Sequence, residues 1–240
     1  MIGTRSVTTG TMVIRHEMGH SLGWVGDEYD RGSYLGANSD ADTNEIPWKH
    51  WVEPEHMDGG EIQKFDNALR VQDYSWYDLS KGAYELEFTS DGTYARWYLQ
   101  ISVSGADFPD SFVAFLDGVM LPWNTTGNLD RAFFSWEGHH GFSAGRHTLR
   151  FVQGDHDHTG LPPRPRPIVQ LCSVNLHEYP ANYPALGSPP FVAAFPSRFD
   201  MKKDTPVHWR PTDESCLMRN MTSAHFCPIC KVRLIPCLVH

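Results

Sequence analysis

The spacing of hydrophobic positions changes near residue 80, and that change divides the chain. Before it, Met12, Val13, Met18, Leu22 and Val25 approximate one apolar stripe, with Ile14 off it, so residues 11 to 25 are expected to form a helix. Gly23 is placed to end that helix, because glycine readily takes the left-handed conformation of a C-terminal cap. Residues 34 to 45 are rich in Asn, Asp, Gly and Ser and read as loop. Past residue 80 the period shortens. Tyr84-Glu85-Leu86-Glu87-Phe88 alternates, Tyr94 to Val103 is aromatic and β-branched, and Phe112 to Leu121 carries Asp117-Gly118 between apolar runs, a hairpin signal. Arg131 to Trp136, His147 to Val152 and Val169 to Leu176 read as further strands. Short strands at this spacing predict an antiparallel β-sandwich. The proline-rich run from Leu161 to Pro167 is extended. From Tyr179 onward no period is evident.

Composition narrows the classes. A chain of 240 residues has room for one large domain or two small ones, and its 40% hydrophobic and 20% charged content is ordinary for a globular protein. A formal net charge of −9 argues against nucleic acid or an anionic membrane surface as partner, since both attract basic patches. No apolar run approaches the roughly 18 residues of a membrane span. Four of the five cysteines (Cys216, Cys227, Cys230 and Cys237, but not Cys172) fall in the last 25 residues, which points to a local staple or metal site. No signal peptide is visible before the first helix, which begins almost at once, so the chain is expected to be the later part of a longer one; the expected location is extracellular.

The chemistry concentrates in His16-Glu17-Met18-Gly19-His20. Histidines four apart on a helix leave the same face one turn apart, so two imidazoles can reach one zinc ion. Glu17, beside the first ligand, is placed to move a proton to or from zinc-bound water. Related zinc peptidases carry a glycine three residues past the second histidine and a third ligand three residues beyond it. Here those positions are Gly23 and Gly26, and Gly26 cannot bind metal. Asp27-Glu28-Tyr29 follows, with Asp27 the first choice for third ligand and Glu28 the reserve.

Residues 16 to 29 resemble the signature of the immunoglobulin A peptidase family of zinc metallopeptidases, in which the His-Glu-x-x-His helix runs into Gly and then Asp-Glu-Tyr. Ile46-Pro47-Trp48-Lys49-His50-Trp51 resembles that family's tryptophan-rich stretch. Arg210-Pro211-Thr212, Cys216-Leu217-Met218-Arg219 and Phe226-Cys227-Pro228-Ile229-Cys230 resemble its C-terminal block. The resemblance covers roughly residues 10 to 52 and 205 to 235. It implies an α+β, zincin-like metallopeptidase core lacking its N-terminal part, with Zn2+ on His16 and His20, Glu17 as general base, and a protein or peptide as substrate. The expected division is residues 1–79 as core, 80–180 as an inserted sandwich, and 181–240 as core continued. Tyr29 and His50 are candidates for stabilising an oxyanion, and Met218 for a methionine turn beneath the metal.

Several residues carry alternative readings. Cys227-x-x-Cys230 could join Cys216 and Cys237 in a zinc site or form a redox pair, but a disulfide from Cys216 to one of the two is preferred. Asp155-His156-Asp157-His158 reads as a polar loop before it reads as a metal site. Trp97, Trp123 and Trp136 could stack on sugar rings, although core packing accounts for them first. The competing functional class is an inactive binding protein whose sandwich recognises glycan or protein.

Overall fold

The structure, a computed structural model, describes residues 10–32, 34–39, 46–154, 168–185, 190–197 and 208–238, with side chains to Leu234 in the last of these. Helix α1 spans Gly10–Gly23. Strands β1 (Met57–Asp58) and β2 (Glu61–Ile62) form a small hairpin, and β3 (Ala68–Asp73) and β4 (Tyr77–Asp78) follow. Next come β5 (Tyr84–Ser90), β6 (Arg96–Ser104), β7 (Phe112–Leu116) and β8 (Val119–Leu121). Strands β9 (Ala132–Gly138), β10 (Gly145–Gln153) and β11 (Gln170–Tyr179) complete the β-rich stretch. Beyond it lie β12 (Phe195–Ser197), β13 (His208–Arg210) and helix α2 (Pro228–Leu238). All the strand ladders are antiparallel. The expected run from Leu161 to Pro167 and the Asp155–His158 loop lie outside the described residues.

The chain divides into two units. One is Ala68–Ala181, and the other is built from the described residues up to Asn67 and from Asn182 onward. The β-rich unit is sandwich-like, with a four-stranded sheet ordered β5-β10-β7-β8 and a second sheet ordered β3-β11-β6-β9, with β4 also pairing with β11. Alternation on β5 sends Phe88 inward, and the fully buried Leu99, Ile101 and Val103 of β6 meet Leu149 and Phe151 of β10 in one core. Each such side chain contributes about 1.5–3 kcal/mol by leaving water. Asp117 and Gly118 both have positive φ, 51° and 78°, so the hairpin between β7 and β8 has the primed-turn geometry their sequence signals. The expected border at residue 80 falls later than the observed one because β3 and β4 already pair with β11.

In the other unit, aromatic packing replaces regular alternation. Phe65 stacks on Phe195 with centroids 4.8 Å apart, and Tyr183 and Phe191 meet both rings edge-on or tilted. Trp48 is buried and its indole N–H donates to the Ala193 carbonyl at 2.8 Å. The end of α1 differs from expectation in one detail. Gly23 is its last residue, and the left-handed residue is Trp24, at φ 53° and 83% exposed. Gly23 instead lets α2 pack closely: a Cβ there would lie 3.0 Å from the Leu234 side chain. Among the described residues, no helix is long and apolar enough to cross a membrane.

Candidate metal centre

Helix α1 places His16 and His20 one turn apart on one face, and the segment after Trp24 brings Asp27 against them. His16 Nε2 is 3.2 Å from His20 Nε2 and 3.2 Å from Asp27 Oδ1, and His20 Nε2 is 3.1 Å from the same oxygen. Ligand atoms at about 2.0–2.1 Å from a tetrahedral zinc ion are separated by about 3.3 Å, so the triangle is of the right size. The other ring nitrogens fix the tautomers. His16 Nδ1 lies 3.3 Å from the Leu217 carbonyl, and His20 Nδ1 lies 2.8 Å from the Val25 carbonyl. With both Nδ1 atoms donating to carbonyls, both Nε2 lone pairs face Asp27 Oδ1, and three acceptors converge. Burial opposes a charge on His16, yet the Asp27 hydrogen bond, the Leu217 carbonyl and the charges of Asp27 and Glu17 raise its pKa overall. The field at this point favours positive charge, whether a proton or a metal ion supplies it.

Asp27 is held from both ends of its residue. Its N–H donates to the Tyr34 carbonyl at 2.8 Å, and its Oδ2 accepts from the Tyr34 N–H at 3.1 Å. This pairing needs close backbone approach, and Gly26 permits it: a Cβ there would sit 2.6 Å from both Tyr34 O and Gly36 N. Gly26, which cannot ligate, therefore allows Asp27 to sit against the two histidines.

The structure brings together most of the expected residues. Glu17 is exposed on α1, and its charge is felt at His16. The Tyr29 ring stacks on His16 at 6.0 Å. Met218 is fully buried in a tight turn closed by Arg219 N–H and Asn220 N–H donating to the Cys216 carbonyl. A Cβ on Gly19 would lie 2.9 Å from Met218 Sδ, so that turn lies directly against α1 between the two histidines. His50 is different. It is exposed, its ring contact is with Trp51, and it lines a cavity of about 140 Å³ with Pro47, Trp48 and Arg233. None of its hydrogen bonds or ring contacts reaches the triad.

Glu28 is also not part of the triad. It turns toward Cys216, Cys227 and Cys230, and these four residues form a second group whose ligand atoms lie within 4.8 Å of one another. The expected disulfide is not formed: all three cysteines are buried free thiols, as is Cys172. The side chain of Cys237 lies outside the described residues. Trp97, Trp123 and Trp136 pack against the sandwich core, with Trp123 stacked on Phe112 at 4.2 Å.

Sequence reasoning missed Tyr34, whose ring lies 4.6 Å from that of His20, and Asn38, which is fully buried. Asn38 accepts from the Gly26 N–H and donates to Gly26 O and Glu28 Oε1, tying the ligand-bearing segment together. Both sit in a stretch that reads only as loop, so neither carried a signal. Helix α2 was also missed, although Pro228 at its first position is a helix-start signal.

No protein-family model and no curated protein matches the chain. Solved structures show slight likeness. The ANX2 ectodomain from Arabidopsis thaliana is 10% identical over 43% of this chain and 30% of its own, with a TM-score of 0.31. An uncharacterised Listeria monocytogenes protein in complex with glucose, magnesium and calcium is 16% identical over 47% of this chain and 11% of its own, with a TM-score of 0.26. An exo-β-1,3-galactanase from Phanerochaete chrysosporium, with galactose, is 9% identical over 47% of this chain and 27% of its own, with a TM-score of 0.24. The chain spans less than a third of the length of each. Likenesses this slight identify no activity.

Proposed function

We propose that the unit carrying α1 is the core of a zinc-dependent endopeptidase of the zincin type, related to the immunoglobulin A peptidases and acting on a protein or peptide outside the cell. The observation that carries this reading is the convergence of His16 Nε2, His20 Nε2 and Asp27 Oδ1 at 3.1–3.2 Å, with both Nδ1 atoms engaged by carbonyls. Zinc held there would acidify a water molecule and polarise the scissile carbonyl. The chain's own groups do the rest. Glu17, exposed next to His16, accepts the proton of the attacking water and returns it to the leaving amine. Tyr29 and the 59%-exposed Tyr34 flank the histidines as hydrogen-bond donors for the developing oxyanion. Met218 and the Leu217 carbonyl form the floor that orients His16.

The test separates binding from turnover. His20→Ala should remove about one zinc ion per chain. Glu17→Gln should keep that ion and lower cleavage of a generic protein substrate by about 10²–10⁴-fold. If Glu17→Gln cleaved as well as the parent chain, the general-base role would be wrong.

A second reading, glycan recognition by the β-rich unit, is favoured by one feature. Tyr74 and Trp76 are 46% and 49% exposed, and the Arg131 guanidinium lies over the Trp76 ring at 5.0 Å. Oligosaccharide titration monitored by tryptophan fluorescence, with Trp76→Ala as control, tests it. A response that survives Trp76→Ala would remove this surface from consideration.

A further inference from the structure

The thiols of Cys216, Cys227 and Cys230 and the carboxylate of Glu28 meet in the interior of the same unit. Cys216 Sγ is 3.9 Å from Cys230 Sγ, and Glu28 Oε1 is 3.3 Å from Cys230 Sγ and 3.8 Å from Cys227 Sγ. A tetrahedral zinc ion with bonds of about 2.3 Å to sulfur and 2.0 Å to oxygen separates its ligands by about 3.8 Å (S to S) and 3.5 Å (S to O). The observed S–S separation is close to the first value, and the two S–O separations lie on either side of the second.

Two further observations point to a cation. Glu28 is completely buried, and its Oε2 has no hydrogen-bond partner, while Oε1 accepts from Asn38 at 2.8 Å. A half-satisfied carboxyl in the interior is costly unless a positive charge compensates it. The backbone is also arranged for thiolates. Cys227 N–H points at Cys216 Sγ (3.3 Å), and Cys230 N–H points at Cys227 Sγ (3.5 Å) across the Cys-Pro-Ile-Cys turn that opens α2.

We infer that Cys216, Cys227, Cys230 and Glu28 form a second, closed metal site that holds a thiophilic divalent cation, zinc, in a structural role. Four protein ligands leave no position for water, so the site performs no hydrolysis. It joins three pieces of chain: the segment after α1, the Met218 turn and the start of α2. Glu28 N–H donates to the Met218 carbonyl at 2.9 Å, so the cation fixes the backbone on which Asp27 is carried. The dipeptide Asp27-Glu28 thus serves one cluster with each residue.

The experiment counts zinc in the full chain, purified with reductant. The parent chain should hold about two ions, and His20→Ala about one. Adding a mercurial that blocks thiols should release one ion from the parent chain, because the histidine site has no sulfur ligand. Cobalt in the His20→Ala chain should give the intense near-ultraviolet bands of thiolate coordination, and Cys230→Ser added to it should abolish them. The His20→Ala chain tests this site whether or not the histidine site binds metal. Failure of the mercurial to release zinc from the parent chain would overturn the inference. So would recovery of Cys216 and Cys230 as a disulfide in chain purified without reductant, seen as a linked peptide pair in a non-reducing digest.

Discussion

Replacing Gly26 with alanine should damage the metal centre without touching a ligand. The added Cβ would lie 2.6 Å from Tyr34 O, 2.6 Å from Gly36 N and 2.9 Å from Leu35 C. A carbon and a carbonyl oxygen sit comfortably at about 3.3 Å or more, so the two backbone segments must part by about 0.7 Å. Every atom in conflict is backbone, so no side chain can swing aside to absorb it. The separation acts directly on Asp27, whose N–H and Oδ2 both bond to Tyr34. Metal–ligand distances tolerate only about 0.2 Å, so zinc affinity should fall by at least the 10–100-fold typical of losing a ligand's supporting contacts. Overpacking should also cost about 1–3 kcal/mol of stability. Zinc titration in a chelator-buffered series reads the first effect, and a thermal melt of the zinc-free chain reads the second. An alanine chain with parental affinity and melting temperature would mean that the Tyr34 pairing is not what places Asp27.

Three other outcomes follow from particular contacts. Asp27→Ala should weaken zinc binding at the histidine site strongly, while Glu28→Ala should weaken it less, acting there only through the shared backbone; zinc content in a Cys230→Ser background distinguishes them, and reversed effects would reassign the ligand. A fragment of residues 68–181 should fold alone, because its core from Val71 to Leu176 is self-contained, giving a strand-rich far-ultraviolet spectrum and a cooperative melt. A disordered fragment would refute that. His147 is almost buried; burial opposes its charge, but the Ser143 carbonyl and the Asp117 carboxylate, 2.9 and 2.7 Å away, raise its pKa above 6.5. Stabilisation from the charged ring is therefore complete below about pH 6.5 and is lost as pH rises through the raised value. The destabilisation by His147→Gln should shrink across that window, and a pH-independent difference in melting temperature would contradict it.

The legible parts of this chain were those in which local pattern and three-dimensional role coincide. Strands β5 to β11 were readable because alternation, β-branching and the Asp117-Gly118 turn act over a few residues. The histidine pair was readable for the same reason, since a spacing of four on a helix is itself the geometry. Strand β3 was not, because Ala68–Asp73 buries neighbours Ala68 and Leu69 together and shows no clean period. The aromatic cluster of Phe65, Tyr183, Phe191 and Phe195 was equally opaque, because Phe65 joins three residues that lie more than a hundred positions further along the chain.

The ambiguity between Asp27 and Glu28 has a more specific cause. Two adjacent carboxylates follow the helix, and either could reach the histidines by length of chain alone. What separates them is the pairing of residues 26 and 27 with residues 34 to 36, which Gly26 and Gly36 make close enough to aim Asp27 at α1. Glu28 is left to face the cysteines, which arrive from the other end of the sequence. A single variant at either carboxylate can therefore disturb two clusters, one through the ligand removed and the other through the backbone they share. Loss of activity in such a variant identifies a catalytic ligand only when zinc at each of the two clusters has been measured in the same protein.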